Sequence, residues 1–126
     1  PYTTLFRSLK KGIAELKEIR KEFETNLFIP GSKEGMNVEL DKAIRLYDFI
    51  TMGELVAYDA LNRNESCGGH FREEYQTEEG EAKRDDENFF YVACWEYQGD
   101  DEKAPVLYKE PLVYEAIKVQ TRNYKS

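Results

Sequence analysis

The sequence predicts a mainly α-helical fold with a small β part, and two patterns carry this prediction. Apolar residues recur at three- and four-residue steps over 9–27 and 37–62, as they do along one face of an amphipathic helix. After Phe89 the pattern changes to short runs rich in aromatic and β-branched residues, which favour strands. We therefore expect two antiparallel helices, a long loop, and a β-hairpin that continues into an extended tail.

The composition is that of one globular domain. The chain has 126 residues, of which 40% are apolar and 34% charged, enough for a modest core and unlike a disordered segment. Its apolar runs are only a few residues long, which excludes a transmembrane helix within this sequence. The two cysteines, Cys67 and Cys94, are predicted to be reduced thiols rather than a disulfide.

The charge is unevenly distributed along the chain. Residues 65–102 carry 13 acidic and 3 basic side chains, and the remainder carries 12 and 15, for a formal net charge of −7. Because a nucleic-acid partner requires a basic face, this balance argues against nucleic acid. The acidic segment is either a solvated loop or an acidic docking surface, and the sequence does not decide between them.

The first eight residues, PYTTLFRS, do not resemble the start of a domain. They open with proline, and they match the in-frame translation of a common short-read sequencing adaptor. We therefore expect residues 1–8 to be an artefactual leader and the true gene to be cut immediately before Leu9. The predicted organisation is this leader, a helical hairpin over 9–62, and a loop, hairpin and tail of the same domain over 63–126.

Two helices are predicted in the first half. The first runs over 9–27 with one buried stripe, formed by Leu9, Ile13, Leu16, Ile19, Phe23 and Leu27. Proline, glycine and serine at positions 30–32 favour a turn that ends it. The second begins near Asn37, a good N-cap residue, and runs to about Asn62.

The second helix is apolar on two sides. One stripe contains Leu40, Ile44, Tyr47, Leu55 and Tyr58, and the other contains Ala43, Leu46, Ile50, Ala57 and Leu61. Four large apolar side chains left exposed would forfeit roughly 6–12 kcal/mol, against roughly 5–15 kcal/mol for a whole domain. Because the first helix covers one side, we expect the C-terminal half or a helix lost upstream to cover the other.

Two strands are predicted after the loop. The first covers 89–97 and ends at an acidic turn over 99–101. The second covers 106–110, and Pro111 is expected to break it before an irregular tail over 112–117.

The loop between the two halves contains the only histidine and several charged residues. Cys67 and His70 have the spacing of half a zinc site, but only Cys94 and loop carboxylates remain to complete four ligands. A Cys–His nucleophilic pair lacks an orienting third group. We therefore predict no catalytic, cofactor-binding or metal-binding residue here. Instead, we expect Gly68-Gly69 to permit a tight turn, His70 to be hydrogen-bonded inside an interface, and the 84–88 segment to form a cap with local pairing of Arg84.

The same loop resembles a known family. Its Glu65-Ser66-Cys67-Gly68-Gly69-His70, the following Arg72, and Arg84-Asp85-Asp86-Glu87-Asn88-Phe89 resemble the family pattern Glu-Ser-Arg-Gly-Ala-His, arginine and Arg-Asp-Asp-x-Asn-Trp. That pattern belongs to the C-terminal domain of succinate dehydrogenase and fumarate reductase flavoprotein subunits, and the resemblance covers 9–125. L-aspartate oxidase and adenylylsulfate reductase share the general plan. The glutamate-rich insert before Lys83 and the ending over 121–125 are most similar to bacterial enzymes of the type found in anaerobes.

The resemblance implies a fold and a setting. The family's domain is a three-helix, spectrin-repeat-like bundle followed by a small hairpin, so the two predicted helices would be the second and third. The intact subunit would hold FAD in an earlier flavin-binding domain and interconvert succinate and fumarate. Its partners would be an iron–sulfur subunit and a membrane-anchor subunit of an electron-transport complex, serving the tricarboxylic acid cycle or anaerobic respiration. Through these partner subunits the flavoprotein subunit would be held, as a cytoplasmic and peripheral protein, on the inner face of the cell membrane.

The resemblance also implies the role of this piece. We expect it to be structural, to bind no FAD and to be inactive alone, with a domain interface formed by Glu65, Ser66, Gly68, Gly69, His70, Arg72, Arg84 and Asp85. Cys67 stands where most relatives have arginine, and Gly69 replaces alanine, so this chain lacks any pairing that the arginine makes in those relatives. The alternative class is a stand-alone acidic helical protein-interaction module.

Overall fold

A computed structural model describes the backbone of residues 3–120 and the side chains from Ser8 onward. The elements in order are α1 (Thr3–Asn26), α2 (Val38–Asn62), α3 (Asp86–Phe89), β1 (Tyr91–Glu96) and β2 (Val106–Pro111). The predicted mainly helical fold with a small antiparallel hairpin is therefore confirmed. The first two residues of the predicted leader and the family-like ending over 121–125 lie outside the described residues.

The chain divides between Asn64 and Glu65 into two compact units. The helical unit contains α1 and α2, and the hairpin unit contains the loop, α3, β1 and β2. Within residues 3–120, no helix is both long enough and apolar enough to cross a membrane.

Helix α1 begins at Thr3, six residues before the predicted start, because no proline or glycine interrupts the segment from Thr3 to Leu9. The origin of residues 1–8 stays a prediction. The expected buried stripe is wrong at Ile19 and Leu27, which are exposed. The buried position is Arg20 instead, so the contact face is rotated by one residue from Ile19, and Leu27 lies beyond the helix end.

The two long helices pack antiparallel. Phe23, near the end of α1, contacts Tyr47 in the first half of α2, with ring centroids 5.8 Å apart and ring planes tilted by 38°. One turn earlier in α1, Arg20 forms an ion pair with Glu54, seven residues further along α2. Backward steps along α1 thus match forward steps along α2. The side chains of this ion pair are almost completely buried, an arrangement that requires mutual pairing because an unpaired buried charge is strongly destabilising.

The turn before α2 is built around Asn37, as predicted. Its side-chain oxygen accepts hydrogen bonds from the backbone N–H of Glu39 at 3.0 Å and Leu40 at 3.2 Å, which caps the helix. Its amide nitrogen donates to the Pro30 carbonyl at 3.2 Å. Gly31 lies against this side chain with φ +121, and a Cβ there would come within 2.6 Å of the Asn37 amide nitrogen. Glycine is therefore required at this position.

Helix α2 buries one of its two predicted apolar stripes. Ala43 and Ile50 are buried, and Ala57 and Leu61 are half-buried, but Leu46 is exposed, contrary to the prediction. On the other stripe Leu40, Ile44, Tyr47 and Leu55 are exposed, and further exposed apolar residues of the helix are Val38, Phe49, Met52 and Val56. Tyr47 of this stripe nevertheless contacts Phe23 of α1, and Tyr58 is half-buried, so α1 covers the stripe only in part. The remaining exposed residues form the apolar surface of α2 that α1 leaves open.

The hairpin pairs β1 with β2 antiparallel, from Tyr91 opposite Pro111 to Glu96 opposite Val106. The predicted first strand is too long, because its first residue, Phe89, belongs to α3. Pro111 does not break β2: it is the last paired residue, where a missing N–H is tolerated. The acidic turn is confirmed, with Gly99 at φ +74 and the Lys103 N–H donating to the Asp100 carbonyl at 3.1 Å.

Candidate interface loop

The loop of the hairpin unit brings together the two motif segments that are separate in the sequence. The Glu65 carboxylate, which is buried, accepts a hydrogen bond from the backbone N–H of Asp85 at 2.9 Å. Next to it, the Ser66 N–H donates to the Lys83 carbonyl at 2.9 Å. The 65–72 segment and the 83–86 segment therefore form one structure, and Glu65 is the side chain that joins them.

The acidic insert between the two segments folds back on itself. The Lys83 N–H donates to the Tyr75 carbonyl at 3.2 Å, and the Thr77 N–H donates to the Glu81 carbonyl at 2.8 Å. Gly80 closes the turn with φ +82. The glutamates of the insert thus project from a small hairpin-like excursion whose two ends return to the loop.

Ser66 clamps the two ends of the 66–72 loop. Its side chain is fully buried; its hydroxyl accepts from the Arg72 N–H at 2.8 Å and lies 3.1 Å from the Arg72 carbonyl, to which it donates. A serine hydroxyl has one donor and two acceptor sites, so this pairing satisfies both backbone groups of one residue. The five residues between the clamped positions form a tip, which we define as residues 67–71.

The tip contains the predicted tight turn. Cys67 and His70 exchange two backbone hydrogen bonds, 2.8 Å from the Cys67 N–H and 3.1 Å from the His70 N–H. Gly68 has φ +59, a conformation that side chains rarely adopt, so the prediction of a glycine-dependent turn is confirmed there. Gly69 lacks a positive φ, and a Cβ on it would meet nothing within 4 Å. Phe71, at the end of the tip, is 46% exposed.

Arg72 stabilises the base of the tip from inside the unit. It is only 2% exposed, and its guanidinium donates to one oxygen of Glu74 through Nε at 3.0 Å and Nη2 at 2.5 Å. Its guanidinium carbon also lies 5.1 Å from the centre of the Tyr75 ring, a cation–π distance.

The environment of Glu74 favours its charged form. Burial acts to raise the pKa of this carboxyl, but a hydrogen bond from its own backbone, the hydrogen bonds and charge of Arg72, and the charge of His70 outweigh burial. The pKa of Glu74 therefore lies below its ordinary value of 4.5. The Glu74 carboxyl is therefore charged at neutral pH, opposite the Arg72 guanidinium.

The second motif forms the predicted cap. Asp85 is the N-cap of α3 and accepts from the Asn88 N–H at 3.2 Å, while its carboxylate also accepts from the Asn88 side-chain amide at 2.9 Å. Arg84 pairs locally with Asp86, with Nη2 2.6 Å from Oδ1. This hydrogen bond raises the pKa of Arg84, although burial opposes it. The predicted local pairing of Arg84 is thus confirmed.

The predicted interface residues occupy three different kinds of position. Glu65, Ser66 and Arg72 are buried within the hairpin unit, where they support the loop, and Gly68 and Gly69 are exposed at its tip. The half-buried predicted residues are His70, Arg84 and Asp85. An interface role for these eight residues stays a prediction.

Sequence reasoning missed three residues of the loop. Glu74 and Tyr75 hold the Arg72 guanidinium, and Phe71 is the exposed aromatic residue of the tip. A carboxylate two residues after an arginine was the available signal for the ion pair. Nothing in the local sequence distinguishes an exposed Phe71 from a core phenylalanine.

Cys67 and His70 belong to no larger cluster of metal-ligating side chains among the described residues. Across residues 3–120, no group of three or more His, Cys, Asp or Glu side chains is placed to hold a metal ion. Cys67 and Cys94 are free thiols, as predicted. Both described strands follow the helices, so no turn leads from a strand into a helix N-terminus, the arrangement that binds a dinucleotide pyrophosphate.

The fold and the loop together define a helical-hairpin domain that carries a clamped polar loop and a small β-hairpin. The family model described as "Fumarate reductase flavoprotein C-term" matches residues 5–124. The chain therefore belongs to this family, and it is a C-terminal domain of a succinate dehydrogenase or fumarate reductase flavoprotein, as the motif resemblance implied. The match starts inside the predicted leader. No solved structure matches the chain.

Proposed function

We propose that this domain is a structural and interface-forming part of a bacterial flavoprotein subunit, and that it supplies no catalytic residue. The observation that carries the proposal is the clamp around Ser66 and Arg72, two buried polar residues that hold an exposed tip in one conformation. A preformed loop loses little conformational entropy when it binds, so it suits a permanent contact. The contact surface would belong to the flavin-binding domain of the same subunit.

In this proposal the reaction takes place elsewhere in the subunit. The intact protein interconverts succinate and fumarate with FAD held by its flavin-binding domain, and electrons pass to an iron–sulfur subunit. A membrane-anchor subunit keeps the complex on the inner face of the cell membrane, with this domain on the cytoplasmic side. Membership of the family supports the assignment of the subunit.

The open side of α2 supports a third helix in the same bundle. Its exposed apolar residues include Phe49, which is 69% exposed, and Val56, which is 60% exposed. These two residues are seven positions apart and therefore lie on one face of the helix, and an exposed apolar face of this kind marks a binding surface. We propose that a helix from the preceding part of the subunit packs there, so that α1 and α2 are the second and third helices of a three-helix bundle.

The interface role is tested in the full-length subunit by changing His70 to alanine, with Ser32→Ala in the exposed linker as the control. We expect the H70A subunit to fold, as judged by circular dichroism, but to contain less bound flavin and to assemble less completely with the iron–sulfur subunit. The S32A subunit should match the wild type in both measurements. Normal flavin content, assembly and succinate–fumarate turnover in H70A would contradict the proposed role of the loop.

The alternative function is a stand-alone acidic helical protein-interaction module. The exposed glutamates of the insert, Glu78 and Glu79, favour it because they form an acidic surface. The two functions are distinguished by sequencing the source DNA upstream of the Leu9 codon. An in-frame continuation that encodes a glycine-rich dinucleotide fingerprint after a strand supports the flavoprotein subunit. A start codon near Pro1 preceded by a stop codon supports the separate module.

A further inference from the structure

Helix α2 has a second line of apolar side chains on a side that α1 does not cover. The covered side is marked by Ile50, which is buried, and by Glu54, which pairs with α1. Phe49, Met52 and Val56 are each more than half exposed. They follow one another at steps of three and four residues, a spacing that aligns side chains along a helix. Because each residue turns by about 100°, this line lies about 100–160° away from Ile50.

The two ends of this line carry opposite charges. Arg45 lies four residues before Phe49, and Asp59 lies three residues after Val56, so both continue the same spacing. Lys42, three residues before Arg45, adds a second basic side chain at the same end. At 1.5 Å per residue, the charged ends are about 21 Å apart. We call these five positions the outer row: Arg45, Phe49, Met52, Val56 and Asp59.

The basic end of the outer row is able to bind a carboxylate beyond its own helix. The Arg45 side chain is exposed, and its Nε donates to Asp41 at 3.0 Å. Lys42 forms a similar exposed pair with Glu39 at 2.9 Å. Exposed pairs within one helix contribute little stability, and a guanidinium has five donors, of which one carboxylate at Nε does not use all. A second carboxylate can therefore pair with Arg45 from a neighbouring helix.

We propose that the helix packing on the outer row carries side chains in the complementary order. An acidic residue lies opposite Arg45, apolar residues lie opposite the middle of the row, and a basic residue lies opposite Asp59. The proposal rests on the proposed function, in which that helix belongs to the preceding part of the same subunit. Apolar contacts alone permit several alignments of two helices, whereas a misplaced charge is penalised. The charged ends therefore select one partner helix in one register.

The direction of the partner helix follows from α1. Helices joined by short connections pack antiparallel, so a helix that leads into α1 runs opposite to α1 and in the same direction as α2. Its acidic residue therefore belongs to its N-terminal part, and its basic residue follows about 14 positions later, the separation of Arg45 and Asp59. A helix dipole favours the same order, with negative charge near the N-terminus and positive charge near the C-terminus.

Sequencing the source DNA upstream of the Leu9 codon is the first test. We expect an in-frame continuation whose last helix before α1 contains an acidic residue, three apolar residues at steps of three and four, and a basic residue about 14 positions after the acidic one. A last helix that is uncharged at these positions, or charged in the reverse order, overturns the proposal and leaves the flavoprotein assignment intact. A stop codon followed by a start codon near Pro1 refutes the proposed function together with it.

Charge reversal tests the pairing in the full-length subunit. Arg45→Glu should speed limited proteolysis of the connection before α1 about two- to fivefold relative to Lys11→Glu, because an exposed ion pair shifts a packing equilibrium by that factor. Lys11 is the matched control, since it also pairs with a carboxylate four residues away in its own helix, Glu15 at 3.5 Å. Replacing the opposing acidic residue by lysine in the R45E subunit should restore the wild-type rate. Equal cleavage of R45E and K11E overturns the proposal.

The apolar middle of the row has its own control. Phe49→Ser should be cleaved about tenfold faster than Phe28→Ser, since Phe28 is 84% exposed and lies outside the helices. The exposed position of Phe49 means that the substitution leaves the contact between α1 and α2 intact. Cleavage of both variants at the same rate shows that no helix covers the row and overturns the proposal.

A second copy of the chain is the competing occupant. Two α2 helices packed antiparallel about Met52 would bring Arg45 of each copy opposite Asp59 of the other. A concentration-dependent dimer of the full-length subunit that R45E weakens, and that R45E combined with Asp59→Arg restores, would assign the row to this dimer and overturn the proposal. A subunit that binds no flavin and turns over neither succinate nor fumarate refutes the proposed function instead, and the proteolysis rates still report whether a helix covers the row.

Discussion

Replacing Ser66 by alanine tests the clamp directly. The hydroxyl is fully buried and serves both the N–H and the carbonyl of Arg72. The carbonyl keeps a second hydrogen bond, from the Tyr75 N–H at 2.9 Å. The main loss is therefore one buried N–H without its acceptor, which costs about 1–3 kcal/mol, since the smaller alanine side chain offers no polar atom. We expect S66A to lower the free energy of unfolding of the hairpin unit by this amount.

The assay is urea unfolding followed by the fluorescence of Trp95, the only tryptophan, which lies in the hairpin unit. Ser32→Ala is the matched control, because the Ser32 hydroxyl accepts only from the Glu34 N–H, at 3.0 Å in an exposed turn. Its effect should stay within about 0.5 kcal/mol. If S66A changes the unfolding free energy no more than S32A does, the clamp does not stabilise the loop, and the reasoning about a preformed tip fails.

Two further predictions concern charged groups. Arg20→Met should destabilise the helical unit by about 3–5 kcal/mol, because it leaves Glu54 buried and unpaired, and adding Glu54→Leu should recover most of that loss. Urea unfolding followed by helical circular dichroism measures both variants. Additive effects of the two substitutions on the free energy of unfolding would contradict the pairing. The lowered pKa of Glu74 contributes stability that is fully present above the ordinary value of 4.5 and is lost as pH falls through the lower folded value. Glu74→Gln should therefore reduce the loss of unfolding free energy at acid pH, as measured by Trp95 fluorescence during urea unfolding at several pH values. An unchanged pH dependence in this variant would contradict the reasoning.

Local signals in the sequence predicted the two long helices, the hairpin and the cap of α2, although not the start of α1 or the length of β1. Asn37 was predicted as an N-cap and is one, because a side chain that can accept from two backbone N–H groups precedes a long apolar repeat. The hairpin was likewise predicted from its aromatic runs and its Gly-Asp-Asp turn. The family was identified from the loop motif, of which Glu65 and Arg72 support the loop from inside the unit.

Features that depend on the neighbouring element were harder to predict. Periodicity alone placed Ile19 on the buried face of α1, but the buried residue is Arg20. Arg20 can be buried because it pairs with Glu54. Glu54 lies on the other helix, so this pairing could not be inferred from the spacing of residues in α1. The same limit applies to the interface residues. Sequence similarity grouped Arg72 with Gly69, although the structure buries Arg72 and exposes Gly69.

The buried ion pair between α1 and α2 also restricts how the helices align. Apolar side chains can pack in several registers, and a slip by one helical turn moves a side chain by about 5.4 Å. Such a slip would separate Arg20 from Glu54 and leave two charges in an apolar contact, so only one alignment of the hairpin is acceptable. Without this ion pair, two helices that contact each other through apolar side chains could align in several registers. The charge pair thus ensures that any third helix meets a single, predetermined surface.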